Sequence, residues 1–226
     1  MSKIVDLSLD IYDRAPTFWP DPKTAVIPHL KIENLKYNIT QLVMSTHLGT
    51  HLDAPYHFFD KGKTVDQLDL RRSFGPAWVL DFTNKAAKDQ ITPEDLEQDS
   101  EKITPGARLI IRTDWDKVFP KDRYFTDCPG VNPEACEYLA EKNISTLAMD
   151  MPTVFVREYV DVHHSLLRAE VLIVEGLANL DQLTEEQVLF MAAPLKIKGR
   201  DGSPCRAIAI EGIDEKLLEI FDHMEN

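Results

Sequence analysis

Cysteine is scarce in this chain: Cys128, Cys136 and Cys205 are the only three in 226 residues, and no Cys-x-x-Cys pair occurs. An odd number at unpatterned spacing argues against a disulfide framework and suits reduced thiols packed in a core. Basic residues are also in short supply, with 25 Lys and Arg against 38 Asp and Glu and a formal net charge of −13. Phosphate backbones and anionic membranes are repelled over most of such a surface, so neither nucleic acid nor membrane is an expected partner. No apolar run approaches the ~20 residues needed to span a bilayer. Residues 1–10 alternate polar and apolar side chains, as a first strand does, and lack the continuous apolar stretch of a secretion signal. A soluble, cytoplasmic protein is expected. Missing too are Gly-x-Ser-x-Gly, Walker A, Gly-x-Gly-x-x-Gly and His-Glu-x-x-His, which sets aside serine hydrolases, P-loop enzymes, Rossmann oxidoreductases and zincin proteases.

The chain has no internal repeat and no Gly/Ser-rich linker, while its length and 43% hydrophobic content can bury a sizeable core, so residues 1–226 read as one domain. Short branched apolar runs at 77–80, 108–112, 146–149, 171–174 and 207–210 read as strands. Several are followed at once by polar residues, among them Asp114, Asp150 and Glu175, and strand ends are where catalytic groups commonly emerge from a rigid sheet. Helix starts are legible at Thr92-Pro-Glu-Asp95, Asn132-Pro-Glu134 and Thr184-Glu-Glu-Gln187, where a capping side chain precedes proline or acidic residues. Helices are expected near 93–99, 133–142 and 185–191, with an amphipathic one near 214–224. The class is mixed α/β.

What the chain does have is concentrated in one run, His47-Leu-Gly-Thr-His51-Leu-Asp53-Ala-Pro-Tyr-His57. Imidazole nitrogen and carboxylate oxygen suit zinc, manganese or iron, and three protein ligands plus an open position is the usual build of a hydrolytic metal site. Gly49, Pro55 and two threonines disfavour a helix here, so an extended or turning segment is expected. In an extended Thr50–Asp53, His51 and Asp53 point to one side, and Gly49 permits the bend that brings His47 to them. His57 lies beyond Pro55 within reach of the same pocket and is the candidate acid/base. Since a bound metal lowers the pKa of its water toward ~7, hydrolysis or hydration is the natural use. By contrast, His29 and His223 stand alone and read as ordinary surface or core residues. A second pairing, His163-His164 ahead of Glu175, could flank one strand of the site, but an acid after an apolar strand is as readily a solvated turn.

The run resembles the complete signature of the metal-dependent cyclase family, His-x-Gly-Thr-His-x-Asp-x-Pro-x-His, which includes bacterial kynurenine formamidases and isatin hydrolases. The resemblance extends through 62–65, 111–113, 163–175 and Pro194-Leu-Lys-Ile-Lys-Gly-Arg-Asp-Gly-Ser-Pro204. It implies a swivelling β/β/α fold, commonly a dimer or tetramer of identical chains. It also implies one or two divalent ions, zinc or manganese, held by His47, His51 and Asp53. The family's formamidases place a histidine twelve residues before a glutamate that completes the site, a spacing that His163 and Glu175 match, and Asp53 would then bridge two ions. The resemblance assigns proton transfer to His57 and the lining of a substrate pocket to Phe18, Trp19 and Pro20, although such aromatics also serve packing and subunit contacts.

The expected activity is metal-dependent hydrolysis of a small amide, with N-formylkynurenine as first candidate and a cyclic amide or lactone as the alternative. A different class of reading is a non-catalytic metal-binding oligomer. Such a closed structural site needs no adjacent spare imidazole, and His57 therefore separates the two.

Overall fold

The computed structural model describes residues 2–222. Its centre is an eight-stranded sheet in the order β1 (Lys3–Asp6), β12 (Gly202–Glu211), β11 (Gln187–Pro194), β5 (Phe74–Asp81), β7 (Arg108–Arg112), β9 (Thr146–Met149), β10 (Leu172–Glu175) and β4 (His51–Asp53). Because β4 also pairs with β12, seven of these strands close on themselves and β1 adds to the outside of β12. Strands β5, β7, β9 and β10 run parallel, and β4, β11 and β12 are antiparallel to their neighbours. Two small pairs stand apart, the hairpin β2 (Ala25–Leu30) with β3 (Ile39–Val43), and β6 (Gln90–Ile91) with β8 (Gly130–Val131). The mixed α/β class expected from the sequence is the one observed.

Strand periodicity sorts the core into two layers. Ile110, Ala148, Leu172, Val174, Val188, Phe190, Ala207 and Ala209 point into the closed sheet. Leu109, Ile111, Leu147, Met149 and Ile173 point outward, where helices α2 (Pro93–Glu97), α4 (Pro133–Glu141) and α5 (Tyr159–Arg168) cover them with Leu96, Leu139, Val162, Leu166 and Leu167. The remaining helices are short: α1 (Ile32–Leu35) at the hairpin tip, α3 (Arg123–Thr126), and α6 (Glu215–Asp222), where Phe221 meets Phe74 edge-on. The helix expected to 224 is described to 222, and His223 lies outside the described residues.

Two expected helix starts form as read. The Thr92 hydroxyl accepts from the Asp95 amide, and the Asn132 side chain accepts from the Ala135 amide at 2.9 Å. The helix expected at 185–191 does not form, and that segment enters β11 instead. There the amides of Thr184 and Glu185 donate to the Glu211 carboxylate across the sheet, which consumes the local capping signal, while Val188, Phe190 and Ala192 alternate inward. Non-local pairing with β5 and β12 wins over a weak local preference. Cys128 and Cys136 are buried in the helix-side core, where burial pushes the Cys128 thiol up to about 12 and so keeps it a thiol. No helix among the described residues is long and apolar enough to cross a membrane.

Asp150 follows β9 as a buried carboxyl that accepts from the Thr113 amide at 2.8 Å and the Thr113 hydroxyl at 2.6 Å. Burial raises its pKa to about 7 against those hydrogen bonds, with Asp116 adding to the rise. The folded chain therefore holds this proton more tightly than the unfolded chain. The resulting stability is full below the ordinary carboxylate range and is lost as pH climbs toward 7. Urea midpoints measured between about pH 4 and pH 7 are expected to fall more steeply for wild type than for Asp150→Asn. Parallel slopes would assign the pH dependence to other groups.

Candidate active site

The site lies where β10 ends and β4 begins. Register places Glu175 opposite His51 and Ile173 opposite Asp53, so two-residue periodicity puts His51, Asp53 and Glu175 on the helix-facing side while Leu52 points into the closed sheet. Gly49 adopts φ +60 and turns the chain so that His47 returns over Asp53, their side chains 2.8 Å apart. Helix α5 lays His163 onto the same carboxylates, with its Nε2 3.2 Å from Glu175 Oε1 and 3.4 Å from Asp53 Oδ2. Pro55 opens a single helical turn that carries His57 to the mouth, where its ring stacks on His47 with centroids 3.9 Å apart.

Glycine is required at two points around this cluster. A Cβ on Gly176, which has φ +67, would lie 2.5 Å from the Gly49 carbonyl oxygen. One on Gly202 would come within 2.8 Å of the His47 ring, so β12 approaches the site closely only because residue 202 has no side chain.

The donor chemistry can be tested against a metal. His51 Nδ1 lies 2.9 Å from the Gly49 carbonyl and His163 Nδ1 lies 2.6 Å from the Tyr159 carbonyl. A carbonyl only accepts, so each Nδ1 carries the hydrogen and each Nε2 turns its lone pair inward. Those Nε2 atoms face Asp53 and Glu175 oxygens at 3.2–3.5 Å. Acceptors converging in this way are satisfied only by a cation or by added protons, and backbone carbonyls orienting ligating imidazoles are the usual outer support of a metal site. Among the described residues, two groups of three have ligand atoms within 4.8 Å of one another, His51 with Asp53 and Glu175, and His47 with Asp53 and His57. Asp53 belongs to both. The residues present therefore fit one or two divalent ions.

Proton affinities report the same demand for positive charge. Burial lowers that of His163, but hydrogen bonds to Asp53 and Glu175 outweigh it and hold its pKa up at about 10. His47 behaves alike. Burial opposes its charge, yet it lies between Asp53 and Asp201, the latter 2.7 Å from Nε2, and its pKa is raised to about 10. Asp53 is completely buried and would be driven up by desolvation, but His47 first and then His163 keep its carboxyl well below the usual range. Glu175 is likewise held low by His163 and His51 against both burial and the Asp53 charge. Only His57 moves the other way. Its ring is desolvated between His47 and Phe58, which lowers its pKa despite the pull of Asp53.

Five of the expected site residues, His47, His51, His57, His163 and Glu175, line one cavity of about 410 Å³ together with Phe18, Trp19, Asp21, Phe58, Thr153 and Tyr159, and Asp53 is buried against His47 behind them. Phe18 packs edge-on against Phe125, while Trp19 is 87% exposed at the rim. His164 stacks on Phe59 and stays out of the cluster. Asp201, part of the 194–204 run that carries the resemblance, has no site role in the sequence reading, yet it binds His47 directly, and the Thr46 hydroxyl donates to it at 2.8 Å.

Comparison with known proteins follows this geometry. The family model described as "Putative cyclase" matches residues 5–154. The kynurenine formamidase of Geobacillus thermodenitrificans is 33% identical over 216 residues, covering 92% of this chain and 97% of that protein, and that of Bacillus thuringiensis is 31% identical over 212 residues. Among solved structures, an isatin hydrolase bound to the product analogue thioisatinate superposes with a TM-score of 0.84 at 26% identity, covering 92% of each chain. A potential metal-dependent hydrolase with cyclase activity gives 0.80 at 27% identity, covering 95% of this chain and all of the other. A signature run, a closed sheet and near-complete relatives agree: the chain belongs to the cyclase family.

Proposed function

We propose that this protein is a metal-dependent hydrolase of a small formamide, of the N-formylkynurenine type. The observation that carries the reading is the pairing of a cation-demanding cluster with a separate imidazole, His57, at the mouth of the same cavity. His47, His51, Asp53, His163 and Glu175 would hold one or two divalent ions of the zinc or manganese type, with Asp53 common to both. Such an ion polarises a carbonyl and acidifies water.

The chain's own residues then do the rest. Phe18, Trp19 and Phe58 give the cavity an aromatic wall for a ring, and Asp21 sets a carboxylate beside it that suits the ammonium of a zwitterionic substrate. His57 accepts a proton from the attacking water as its oxygen bonds to the formyl carbon. It returns that proton to the nitrogen as the C–N bond breaks, giving an amine and formate. His47 and His163, which face the Asp53 and Glu175 carboxylates at 2.8–3.4 Å, would be occupied as ligands of the cation, leaving His57 as the imidazole for proton transfer.

An isatin-like cyclic amide would follow the same proton path with its leaving nitrogen still tethered, and the likeness to isatin hydrolase supports this second reading. The test is direct. Protein reconstituted with zinc or manganese is assayed against N-formylkynurenine, isatin and a panel of small lactones. Highest kcat/KM on the formamide is expected. Turnover of lactones alone would displace the amide reading, and no turnover with full metal occupancy would favour a purely structural site.

A further inference from the structure

A second cavity, of about 400 Å³, lies away from the candidate active site and falls within the roughly 300–1,000 Å³ of small-molecule sites. Arg108 opens β7 and Ser145 immediately precedes β9, whereas Glu175 closes β10. These strands run parallel, so the two cavities lie at opposite strand ends. One wall of the second cavity comes from the turn Leu70–Ser73, which is pinned to the sheet through its carbonyls. The Arg108 guanidinium donates to the Arg71 carbonyl at 2.6 Å and to the Pro76 carbonyl at 3.3 Å, and the Thr146 hydroxyl donates to the Arg72 carbonyl. Residue 75 must be glycine for this, because a Cβ there would lie 2.6 Å from the guanidinium carbon of Arg108.

Two observations point to a ligand. Ser145 is only 7% exposed and lines the cavity, yet among the described residues its hydroxyl has no hydrogen-bond partner, and the half-buried Gln187 amide beside the same space has none either. Buried polar groups are nearly always paired, so a hydroxyl left facing a cavity marks a place for a bound acceptor. Charge is the second observation. Arg71, Arg72 and Arg108, three of the ten arginines in a chain of net charge −13, all line this space. Asp69 answers Arg71 through both carboxylate oxygens, at 3.0 and 2.6 Å. Arg72 is answered less fully, since Glu170 lies 3.7 Å from its Nη2 and is shared with Lys63 at 2.6 Å. An anion fits this balance. Trp78 and Phe221 add aromatic surface to the same cavity, which a bare inorganic ion would leave unused.

We infer that this cavity binds a small aromatic carboxylate, its ring against Trp78 and Phe221 and its carboxylate held by Arg72 and the Ser145 hydroxyl. The planar guanidinium matches the planar carboxylate, and Ser145 supplies a further donor from the opposite chain segment. The ligand thereby joins the turn Leu70–Ser73 to the segment entering β9.

The chain has three tryptophans, so ¹⁵N-labelled wild-type protein offers three indole resonances, assigned by single replacement with phenylalanine. Trp78 reports this cavity and Trp19 the candidate active site, which makes the outcome independent of the reaction proposed above. Titration with benzoate should move the Trp78 resonance saturably, with acetate and inorganic phosphate each binding at least ~10-fold more weakly. Arg72→Gln should weaken benzoate at least ~10-fold and Ser145→Ala about 2–10-fold, as loss of a charged and of a neutral hydrogen bond does. A Trp78 resonance at its wild-type position in each ligand-free variant establishes that the cavity is intact. A shift confined to Trp19, a Trp78 resonance that never saturates, intact variants that bind like wild type, or acetate or phosphate binding as tightly as benzoate would each overturn the assignment.

Discussion

Replacing His57 with alanine is expected to lower kcat by about 10²–10⁴-fold, the range a positioned acid/base contributes, while leaving bound metal at the wild-type level. The second half of that expectation is the discriminating one. His57 lies within ligand range of His47 and Asp53 as well as at the mouth of the cavity. Were it a ligand, the alanine variant would lose metal and activity together, and added metal would restore part of both. As an acid/base it costs nothing in occupancy, and no concentration of metal recovers the rate. Metal analysis beside steady-state kinetics separates the two, and a rate within a few fold of wild type would remove His57 from the chemistry.

Asp53→Asn is expected to be the more severe change for occupancy. The carboxylate belongs to both groups of three and lies within 3.5 Å of His47, His51 and His163 alike. An amide keeps the shape but offers only a neutral, weaker oxygen to a cation, and metal affinity should fall by more than ~100-fold, with activity following. Outer supports typically cost 10–100-fold, which makes Asp201→Asn the matched control. It removes the hydrogen bond to His47 Nε2 but no shared oxygen, so its loss should stay within that range and be overcome by excess metal. Metal titration of the two variants checks the order. Equal losses would mean that Asp201 is itself a ligand or that Asp53 is not shared.

The legible part of this site was the part written locally. His47, His51, Asp53 and His57 sit in eleven residues, with Gly49 and Pro55 supplying the bends, so their convergence needed no knowledge of the fold. His163 and Glu175 could be added only through resemblance, because their meeting depends on α5 folding back over β10. That helix announces itself poorly: Glu158 precedes it without a side-chain cap. Asp201 lay within the 194–204 run of the resemblance but received no role, since it reaches His47 only once β12 lies beside β4. The same distinction explains the secondary structure. Thr92 and Asn132 cap their own helices and were read correctly, whereas Thr184 carries an equal local signal that the distant Glu211 takes over. The closure of the sheet was invisible for a related reason, resting on a three-residue strand whose partners are more than a hundred residues away.

That short strand gives the site a mechanical meaning. β4 is the seam of the barrel, joined to β10 on one side and β12 on the other, and it carries His51 and Asp53. Whatever positive charge these residues hold is shared with Glu175 across one edge of the seam, while His47, bonded to Asp53, is gripped by Asp201 just before the strand on the other edge. Loading an ion would therefore act as a rivet through the fold and raise its resistance to opening by mass action. Backbone amides of residues 51–53 would then pass from the early-exchanging to the late-exchanging population, and chelation would loosen the barrel at the point where it catalyses.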